Sequence, residues 1–425
     1  MPLTALLKKL YARRRFGIRP GVDRVNTLLA RLGNPQKQFR SIHVVGTNGK
    51  GSTSAFLSSI LKCAGHRTAQ FSSPHLVRFS ERFRIDGVEC PEAPLAKYLE
   101  EVLLLAPEDA TFFEITTALA ALVFKREMVE IAVIEAGMGG RSDATAAIDC
   151  EMTIITPLAI DHAEYLGTTL PEIAYEKAGI IEPFTKVVSA EQQADVLAVI
   201  EKKSRSVNSS LVLMGRDFSS AWNGRGTLDY QGIFTSLKQL APGIPGRYQS
   251  QNAALALAAA ESLDSAGTTV GADALAQGIA TACWPGRMEL IPGDPPILLD
   301  GAHNSAGTKA LAEALSDYPC KRILMVTGVC YDKDIDQMYA PLIPLVEKIY
   351  TVTPSVDRAM NGEDLSRLFS GMGVDSTPSV NVVDGIQKAR IESVNGDMIL
   401  VCGSLFIVGE TKAWLENSGY SGIRG

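Results

Sequence analysis

A glycine-rich segment, GTNGKGST at positions 46–53, has the residue types needed to bind a polyphosphate, and we call it the phosphate loop. Glycines let backbone N–H groups approach phosphate oxygens, Lys50 supplies a positive charge, and the hydroxyl group of Ser52 or Thr53 can reach a Mg²⁺ ion. A β-branched run at 42–45 precedes the loop, and a helical pattern begins near Lys50. Because a strand enters and a helix leaves, the helix N-terminus adds to the attraction for anions. The segment therefore predicts an ATP and Mg²⁺ site.

Four other side chains could act beside this loop, and each also has an ordinary structural interpretation. Glu135 ends a predicted strand, and the carboxyl ends of parallel strands line the ligand crevice, where an acid can hold Mg²⁺. Ser73 and His162 also follow predicted strands, although a single histidine there is more often a structural hydrogen bonder than a ligand. Lys177 lies on a short predicted helix, where a lysine is ordinarily solvated.

The composition of the chain limits the classes of function. Its 425 residues, of which 46% are hydrophobic and 21% charged, predict two or three globular domains with ample core material. The net charge of −6 argues against a large nucleic-acid interface. No apolar run approaches the roughly 18–20 residues of a membrane span. The seven cysteines are scattered without a CxxC spacing, which disfavours a disulfide framework or a zinc site and favours a reducing cytoplasm.

The N-terminus is basic, and its first acid is Asp23. The basic residues before it include Lys8, Lys9, Arg13, Arg14 and Arg15. Such a start can be a transit peptide. However, the leucines at positions 3, 6, 7 and 10 form one helical stripe, which favours a surface helix leading into the fold.

Alternating strand-like and helix-like runs predict the elements that hold these side chains. The predicted strands of the first part lie at 42–45, 68–71, 131–135, 152–156 and 186–189, and the pattern at 210–238 suggests an antiparallel appendage. Proline and glycine are densest at 285–296, so we place the domain boundary at about residue 290. Strand-like runs beyond it, at 297–299, 322–327, 348–352, 380–383 and 398–402, predict a second, smaller open α/β sheet.

Ten short motifs extend these features along nearly the whole chain. They are HVVGTNGKGST (43–53), SSPHLVRFSERFRIDG (72–87), TFFEITTALA (111–120), IEAGMGGRSDAT (134–145), IDHAEYLG (160–167), EKAGII (176–181), QNAALA (251–256), PGRME (285–289), LDGAHN (299–304) and CGSLFIVGE (402–410). In this order they resemble the folylpolyglutamate synthase/dihydrofolate synthase family, relatives of the Mur ligases. The resemblance implies an α/β fold, with a P-loop (Mur-ligase-like) ATPase domain at 1–290 and a smaller Rossmann-like C-terminal α/β domain at 291–425.

The resemblance also implies roles in binding the nucleotide and metal. Residues matching the family's ATP contacts are Gly49, Lys50, Gly51, Ser52, Asn252, Arg287 and Asp300. Ser73, Glu135 and His162 match magnesium ligands, and two ions are expected. Lys177 matches a lysine that is carbamylated in the family, and its carbamate would help to bind the second ion. Arg287 would stabilise charge on the transferring phosphoryl group, and a monovalent cation is a further candidate cofactor.

Substrate contacts are implied in the same way. Segments near the pterin-bearing substrate of relatives match Thr111, Phe112, Phe113, Arg141, Asp143 and Ala144. The two phenylalanines offer stacking faces, although without the resemblance both would be assigned to the core, and Asp143 could accept hydrogen bonds from a pterin ring. We hypothesise that His303 and Ser404 contact L-glutamate, with ordinary loop capping a nearly equal alternative.

The implied activity is ATP-dependent amide formation through an acyl phosphate, with Lys50, Lys177, Arg287 and His303 as catalytic residues. The expected substrates are L-glutamate and either folate or dihydropteroate, and a bifunctional enzyme is the favoured interpretation. A Mur-type ligase acting on a UDP-sugar shares the loop and its Glu, His and Lys, and a nucleotide-dependent switch would need the loop alone. We expect a cytoplasmic monomer without nucleic-acid or membrane partners.

Overall fold

The computed structural model of the chain describes residues 1–13, 21–264 and 268–420. Its larger sheet has the strand order β4-β3-β2-β5-β1-β6-β7-β8. The strands are β1 (Arg40–Val45), β2 (Thr68–Phe71), β3 (Phe83–Ile85), β4 (Val88–Glu89), β5 (Ile131–Glu135), β6 (Met152–Ile155), β7 (Lys186–Ser189) and β8 (Ser210–Leu213). The run from β2 to β8 is parallel, whereas β3 and β4 form an antiparallel edge. Parallel pairing brings the carboxyl ends of β1, β2, β5 and β6 to one edge.

Helices cover both faces of this sheet. They are α1 (Leu3–Tyr11), α2 (Asp23–Arg31), α3 (Lys50–Cys63), α4 (Glu92–Leu105), α5 (Phe112–Arg126), α6 (Ala163–Leu166), α7 (Leu170–Ala178), α8 (Ala194–Ser206), α9 (Gln249–Asp264) and α10 (Ala272–Thr281). Ile42 and Val44 of β1 point to the face covered by α3, α9 and α10, because alternate side chains of a strand share a face. A Cβ atom at Gly278 would collide with the backbone of Ile60, so this glycine allows α10 to lie directly on α3.

The N-terminal helix and the antiparallel appendage of this region were both predicted from the sequence. The predicted N-terminal helix is present as α1, with Leu6 and Leu10 buried, while Arg14 and Arg15 lie outside the described residues. The predicted antiparallel appendage is present as β9 (Ser219–Trp222), β10 (Leu228–Gln231) and β11 (Ser236–Leu240). Its predicted start was wrong, because residues 210–213 pair in parallel with β7 and extend the large sheet.

The second sheet has the order β12-β13-β17-β14-β15-β16 and is parallel except for β12. Its strands are β12 (Glu289–Ile291), β13 (Ile297–Leu299), β14 (Ile323–Thr327), β15 (Lys348–Thr351), β16 (Ser376–Pro378) and β17 (Met398–Cys402). Its helices are α11 (Ser305–Leu315), α12 (Ile335–Tyr339), α13 (Gly362–Gly371), α14 (Val382–Glu392) and α15 (Leu405–Leu415). The strand predicted at 380–383 was wrong, because Asn381 caps α14 through the N–H group of Asp384.

The two parts share a packed junction that contains the loop after β2. Leu76 and Val77 of that loop belong to the apolar core of the second sheet, where they pack with Ile407 and Val408 of α15. The boundary that we predicted after residue 290 falls inside β12, and the division into residues 1–290 and 291–425 stays a prediction. Within the described part of the chain, no helix combines the length and the apolar character needed to cross a membrane.

Candidate active site

The phosphate loop lies between β1 and α3, as its sequence predicts. Gly49 precedes α3 with a φ of 86°, and a Cβ atom there would collide with the side-chain oxygen of Asn252 in α9. Only glycine meets both constraints without strain. The ammonium group of Lys50 donates hydrogen bonds to the carbonyl oxygens of Gly46 (3.3 Å) and Thr47 (3.2 Å), which holds its charge over the loop.

Lys177 reaches the same loop from α7. Its Nζ atom donates a 2.7 Å hydrogen bond to the carbonyl oxygen of Gly46, and its side chain is only 5% exposed. Burial, reinforced by the positive charge of Lys50, lowers the pKa of Lys177 to about 7. A substantial fraction of this lysine is therefore a neutral amine near pH 7, the form that reacts with CO₂. The expectation that a lysine on a short helix is solvated does not hold here.

Glu135 and Ser73 lie together at the carboxyl ends of β5 and β2. Glu135 is 5% exposed, and burial raises its pKa to about 7 against the opposing charges of Lys50 and Arg287. The backbone N–H group of Ser73 donates to this carboxylate. Both residues line one cavity with Gly51, Arg287 and Leu405, so residues from both parts of the chain meet there.

Oxygen donors in this cavity suit a Mg²⁺ ion, which prefers carboxylate, hydroxyl, water and phosphate oxygens. Glu135 and Ser73 would supply two such ligands beside the phosphates. The residues that the structure describes contain no group of three or more His, Cys, Asp or Glu side chains arranged to hold a metal. A Mg²⁺ ion bound at this position would therefore take most of its ligands from the nucleotide and from water.

His162 lies on the loop between β6 and α6, in the left-handed region at a φ of 52°. Burial, together with the positive charges of Lys333 and Lys50, lowers its pKa to about 4, although Asp161 acts in the opposite direction. A neutral imidazole can serve as a metal ligand at physiological pH. The backbone N–H group of His162 donates to Asp161 Oδ1 at 3.0 Å.

The three predicted nucleotide contacts outside the phosphate loop have different surroundings. Asn252 faces Gly49 and donates to Gln249 at 2.8 Å, while Arg287 lines the cavity described above. Asp300 is buried, and its carboxylate accepts hydrogen bonds from Tyr248 Oη and from the backbone N–H groups of 288 and 302, at 2.7, 3.0 and 2.9 Å. Protein groups thus already engage both Asp300 oxygens.

The predicted pterin segment surrounds the N-terminus of α5. Thr111 caps this helix in a reciprocal capping box with Glu114. Phe112 is 4% exposed and stacks on Tyr11, with ring centroids 5.8 Å apart, so it is a core residue. Phe113 is only partly buried and packs over Gly137, at the edge of the loop that follows β5.

The loop that follows β5 carries the other predicted pterin contacts. Asp143 Oδ2 accepts from the N–H group of Met138 and Oδ1 from that of Thr145, both at 2.9 Å, so this acid organises its own loop. Burial raises the pKa of Asp143. Ala144 is buried beside it, whereas Arg141 is exposed and stacks on the ring of Tyr175 at 4.2 Å.

The two predicted glutamate contacts have different surroundings in the structure. Ser404 Oγ accepts from the N–H group of Phe406 and caps α15, which is the structural role we had considered as the alternative. His303 Nδ1 lies 2.8 Å from the carbonyl oxygen of Gly301, and its Nε2 lies 3.6 Å from Asp161 Oδ2 of the other domain.

Sequence reasoning missed the residues around Asp161 that join the two domains. Lys333 Nζ lies 2.7 Å from Asp161 Oδ1, and Asn304 Nδ2 donates to Asp161 Oδ2 at 3.3 Å. Burial opposes ionisation, but the hydrogen bond and charge of His303, with the charges of His162 and Lys333, hold the pKa of Asp161 well below its usual range. The only signal was that Asp161 and Asn304 stand beside two histidines already selected.

Comparison with known proteins agrees with this arrangement. Family models match residues 44–260 as a Mur ligase middle domain and 286–405 as a Mur ligase, glutamate ligase domain. The dihydrofolate synthase/folylpolyglutamate synthase of Bacillus subtilis is 33% identical over 96% of this chain and 97% of its own length. A probable bifunctional folylpolyglutamate synthase/dihydropteroate synthase of Halobacterium salinarum is 34% identical over 94% of this chain, which spans 50% of that relative's length.

Solved structures are similar throughout. Escherichia coli FolC in complex with DHPP and ADP superposes with a TM-score of 0.90 at 30% identity, covering 98% of each chain. A bifunctional folylpolyglutamate synthase/dihydrofolate synthase with Mn, AMPPNP and L-glutamate bound has a TM-score of 0.88 at 29% identity, again covering 98% of each chain. With the two domain models matched in order, the chain belongs to the folylpolyglutamate synthase/dihydrofolate synthase family of ATP-dependent ligases.

Proposed function

We propose that this chain joins L-glutamate to a folate-type carboxylate, with 7,8-dihydropteroate and tetrahydrofolate as the acceptors to test. The observation that carries the proposal is the cavity that contains Ser73, Glu135 and Arg287 beside Gly51 of the phosphate loop. Arg287, which lies beside the domain boundary, and Leu405 of the second domain bring this cavity up to the phosphate loop, as a reaction between an activated acceptor and a second substrate requires. The Bacillus subtilis relative carries both activities in its name, which supports a bifunctional enzyme.

The proposed reaction has two steps. A carboxylate oxygen of the acceptor attacks the γ-phosphorus of ATP, the bond from that phosphorus to the bridging oxygen breaks, and ADP leaves. The α-ammonium group of L-glutamate loses one proton to solvent, and the neutral amine attacks the acyl carbon. The tetrahedral intermediate releases a second amine proton to solvent and expels inorganic phosphate as the amide forms. Lys50 and Arg287 flank the γ-phosphate position with positive charge that stabilises the first transition state.

Ser73 and Glu135 are the proposed holders of one Mg²⁺ ion, which would neutralise phosphate charge when bound. His162 and Lys177 are the proposed holders of the second, with Lys177 acting as a carbamate. The neutral fraction of its buried amine supports that modification, because only a deprotonated amine attacks CO₂. The monovalent cation stays a candidate without a described site.

Phe113 and the segment around Ala144 are the proposed pterin contacts. The partial burial of Phe113 leaves ring surface for stacking, whereas Phe112 is committed to the core. Thr111, Arg141 and Asp143 stay in the proposal as residues that shape the pocket, since their own hydrogen bonds or stacking fix its walls. Asn252 and Asp300 stay as proposed nucleotide contacts, and His303 and Ser404 as proposed glutamate contacts.

The proposed setting is a cytoplasmic monomer. All seven cysteines are free thiols, and four of them are buried, which suits a reducing compartment. The net charge of −6 supports the absence of a nucleic-acid partner.

The test supplies ATP, Mg²⁺ and L-glutamate with 7,8-dihydropteroate, with tetrahydrofolate, or with a UDP-sugar carboxylate of the Mur type. Phosphate release and amide product are both measured. We expect product with at least one pterin acceptor and none with the UDP-sugar. Product with the UDP-sugar alone would establish the rival ligase, and phosphate release without any amide would leave only a nucleotide-dependent switch.

A further inference from the structure

Asn304 of the second domain makes three side-chain hydrogen bonds to the nucleotide-binding face of the first. It is buried, and it forms the N-cap of α11 by accepting from the N–H group of Gly307 at 2.8 Å. Its Nδ2 donates to Asn48 Oδ1 at 3.0 Å, and its Oδ1 accepts from Asn48 Nδ2 at 3.2 Å. The two amides therefore form a reciprocal pair, which fixes the orientation of both planes.

The same amide group also reaches Asp161. Asn304 Nδ2 donates to Asp161 Oδ2 at 3.3 Å, while Lys333 of the second domain lies against the other oxygen at 2.7 Å. The donors and acceptors of the Asn304 side chain are thus all used, and all but one of its bonds cross the domain boundary. When every donor and acceptor of a buried polar network has a partner, the network specifies a single arrangement of its members.

The surface that Asn304 contacts is one polar unit of the first domain. Thr47 Oγ1 donates to the carbonyl oxygen of Ala159 at 3.0 Å and accepts from its N–H group at 3.1 Å. The backbone N–H groups of Thr47 and Asn48 both donate to the carbonyl oxygen of Pro157. These bonds join the phosphate loop to the loop that carries Asp161 and His162, and Asn304 sits where the two loops meet.

We propose that Asn304 is a positioning residue that fixes the second domain on the phosphate loop, so that the amine reaches the acyl phosphate before water does. His303 immediately precedes Asn304, so the position of this candidate glutamate contact follows from the amide pair. If the second domain closed without being fixed in this position, water could reach and hydrolyse the acyl phosphate. This inference rests on the ligase function proposed above.

Asn304→Asp is the variant that best separates the cap of α11 from the contacts between the domains. It keeps the oxygen that caps α11, removes both N–H donors, and places a second carboxylate beside Asp161. Asn361→Asp is the matched control, because Asn361 is exposed and caps α13 of the same domain through the N–H group of Glu363 at 2.8 Å. Thermal melting verifies that each variant is folded.

The measurement is the ratio of phosphate released to amide formed, with ATP, L-glutamate and the pterin acceptor that the wild-type protein uses. We expect a ratio near one for the wild-type chain and for Asn361→Asp. Asn304→Asp should release several phosphates per amide and raise the KM for L-glutamate. It should also lower the rate of amide formation about 10²-fold, which is the usual effect of misplacing a reacting group by about 1 Å. Its affinity for ADP should change less than about threefold, because the phosphate loop itself is intact.

A merely structural role would give a different result. Loss of folded protein lowers phosphate release and amide formation equally, so a ratio that stays near one in Asn304→Asp overturns the inference, whatever the rate. Asn48→Ala removes the partner from the other side and should raise the ratio as well; a normal ratio in that variant also overturns it. Failure of the ligase function would appear instead as absence of amide from the wild-type chain.

Discussion

The Nζ atom of Lys177 lies 2.7 Å from the carbonyl oxygen of Gly46, the first glycine of the phosphate loop. This buried lysine contacts the phosphate loop and has a pKa lowered to about 7, so it is suited to exist as a carbamate. We expect Lys177→Ala to lower kcat about 10²–10³-fold, the usual effect of removing one preorganised electrostatic group. Steady-state amide formation with and without added bicarbonate measures it.

The control for this prediction is Lys202→Ala, which removes an exposed lysine of α8. Its rate should equal that of the wild-type chain. A short carboxylate such as acetate should partly restore Lys177→Ala, since it can occupy the place of the carbamate. An unchanged rate in Lys177→Ala would contradict a role of this lysine in catalysis. A lowered rate that acetate does not restore would show that the lysine acts as an amine and not as a carbamate.

Gly49→Ala tests the close approach of α9 to the phosphate loop. The new Cβ atom would collide with Asn252 and would also occupy a φ of 86°, so the loop must shift away from the geometry that binds phosphate. We expect the Kd for ADP, measured by calorimetry, to rise at least about tenfold, equivalent to about 1.4 kcal/mol.

Gly65→Ala is the matched control for the glycine. Gly65 follows α3 with a φ of 93° and has open space where a Cβ atom would lie. This variant should lose about 1–2 kcal/mol of stability from backbone strain and keep its affinity for ADP. Equal weakening of ADP binding in both variants would show that general destabilisation, and not the contact with Asn252, causes the loss.

The parts of the fold that depend on local pattern were predictable. A β-branched run before a glycine-rich loop specifies β1, the loop and the start of α3, because the strand and helix periodicities are local properties. Glu135 was placed correctly because a parallel strand must present its carboxyl end at the ligand edge. The prediction failed at residues 380–383, where the N-cap Asn381 outweighed a strand-like run of valines.

The relations that span the sequence were not predictable from pattern. Asn48 and Asn304 are 256 positions apart, and neither residue type signals a partner. The burial of Lys177 and of Phe112 depends on elements packed over them, which no window of sequence contains. The resemblance to a family gave roles to single positions, but it did not give the contacts that join them across the domains.

Phe112 and Phe113 should respond differently to truncation, although they are neighbours. Phe112 is 4% exposed, so Phe112→Ala should lower the free energy of unfolding by about 3–5 kcal/mol, whatever the acceptor. Phe113→Ala should raise the KM for the pterin acceptor about tenfold, through loss of stacking worth about 0.5–1.5 kcal/mol and of apolar contact, and leave the KM for L-glutamate unchanged. Chemical denaturation and steady-state kinetics on both variants separate the effects. Equal KM values for wild type and Phe113→Ala would remove this ring from the pocket.

His43 makes the protein sensitive to acid. It is fully buried in β1, and among the described residues neither of its ring nitrogens has a hydrogen-bond partner. Burial lowers its pKa from 6.5 to about 4, so the unfolded chain binds a proton on this group between these pH values and the folded chain does not. The free energy of unfolding is therefore unaffected by this group above pH 6.5 and falls as the pH drops towards 4, by up to about 3 kcal/mol.

Denaturation measured from pH 7.5 to 4.5 should show a shallower loss of unfolding free energy in His43→Leu than in the wild-type chain. Parallel curves for His43→Leu and the wild-type chain would exclude His43 as the source.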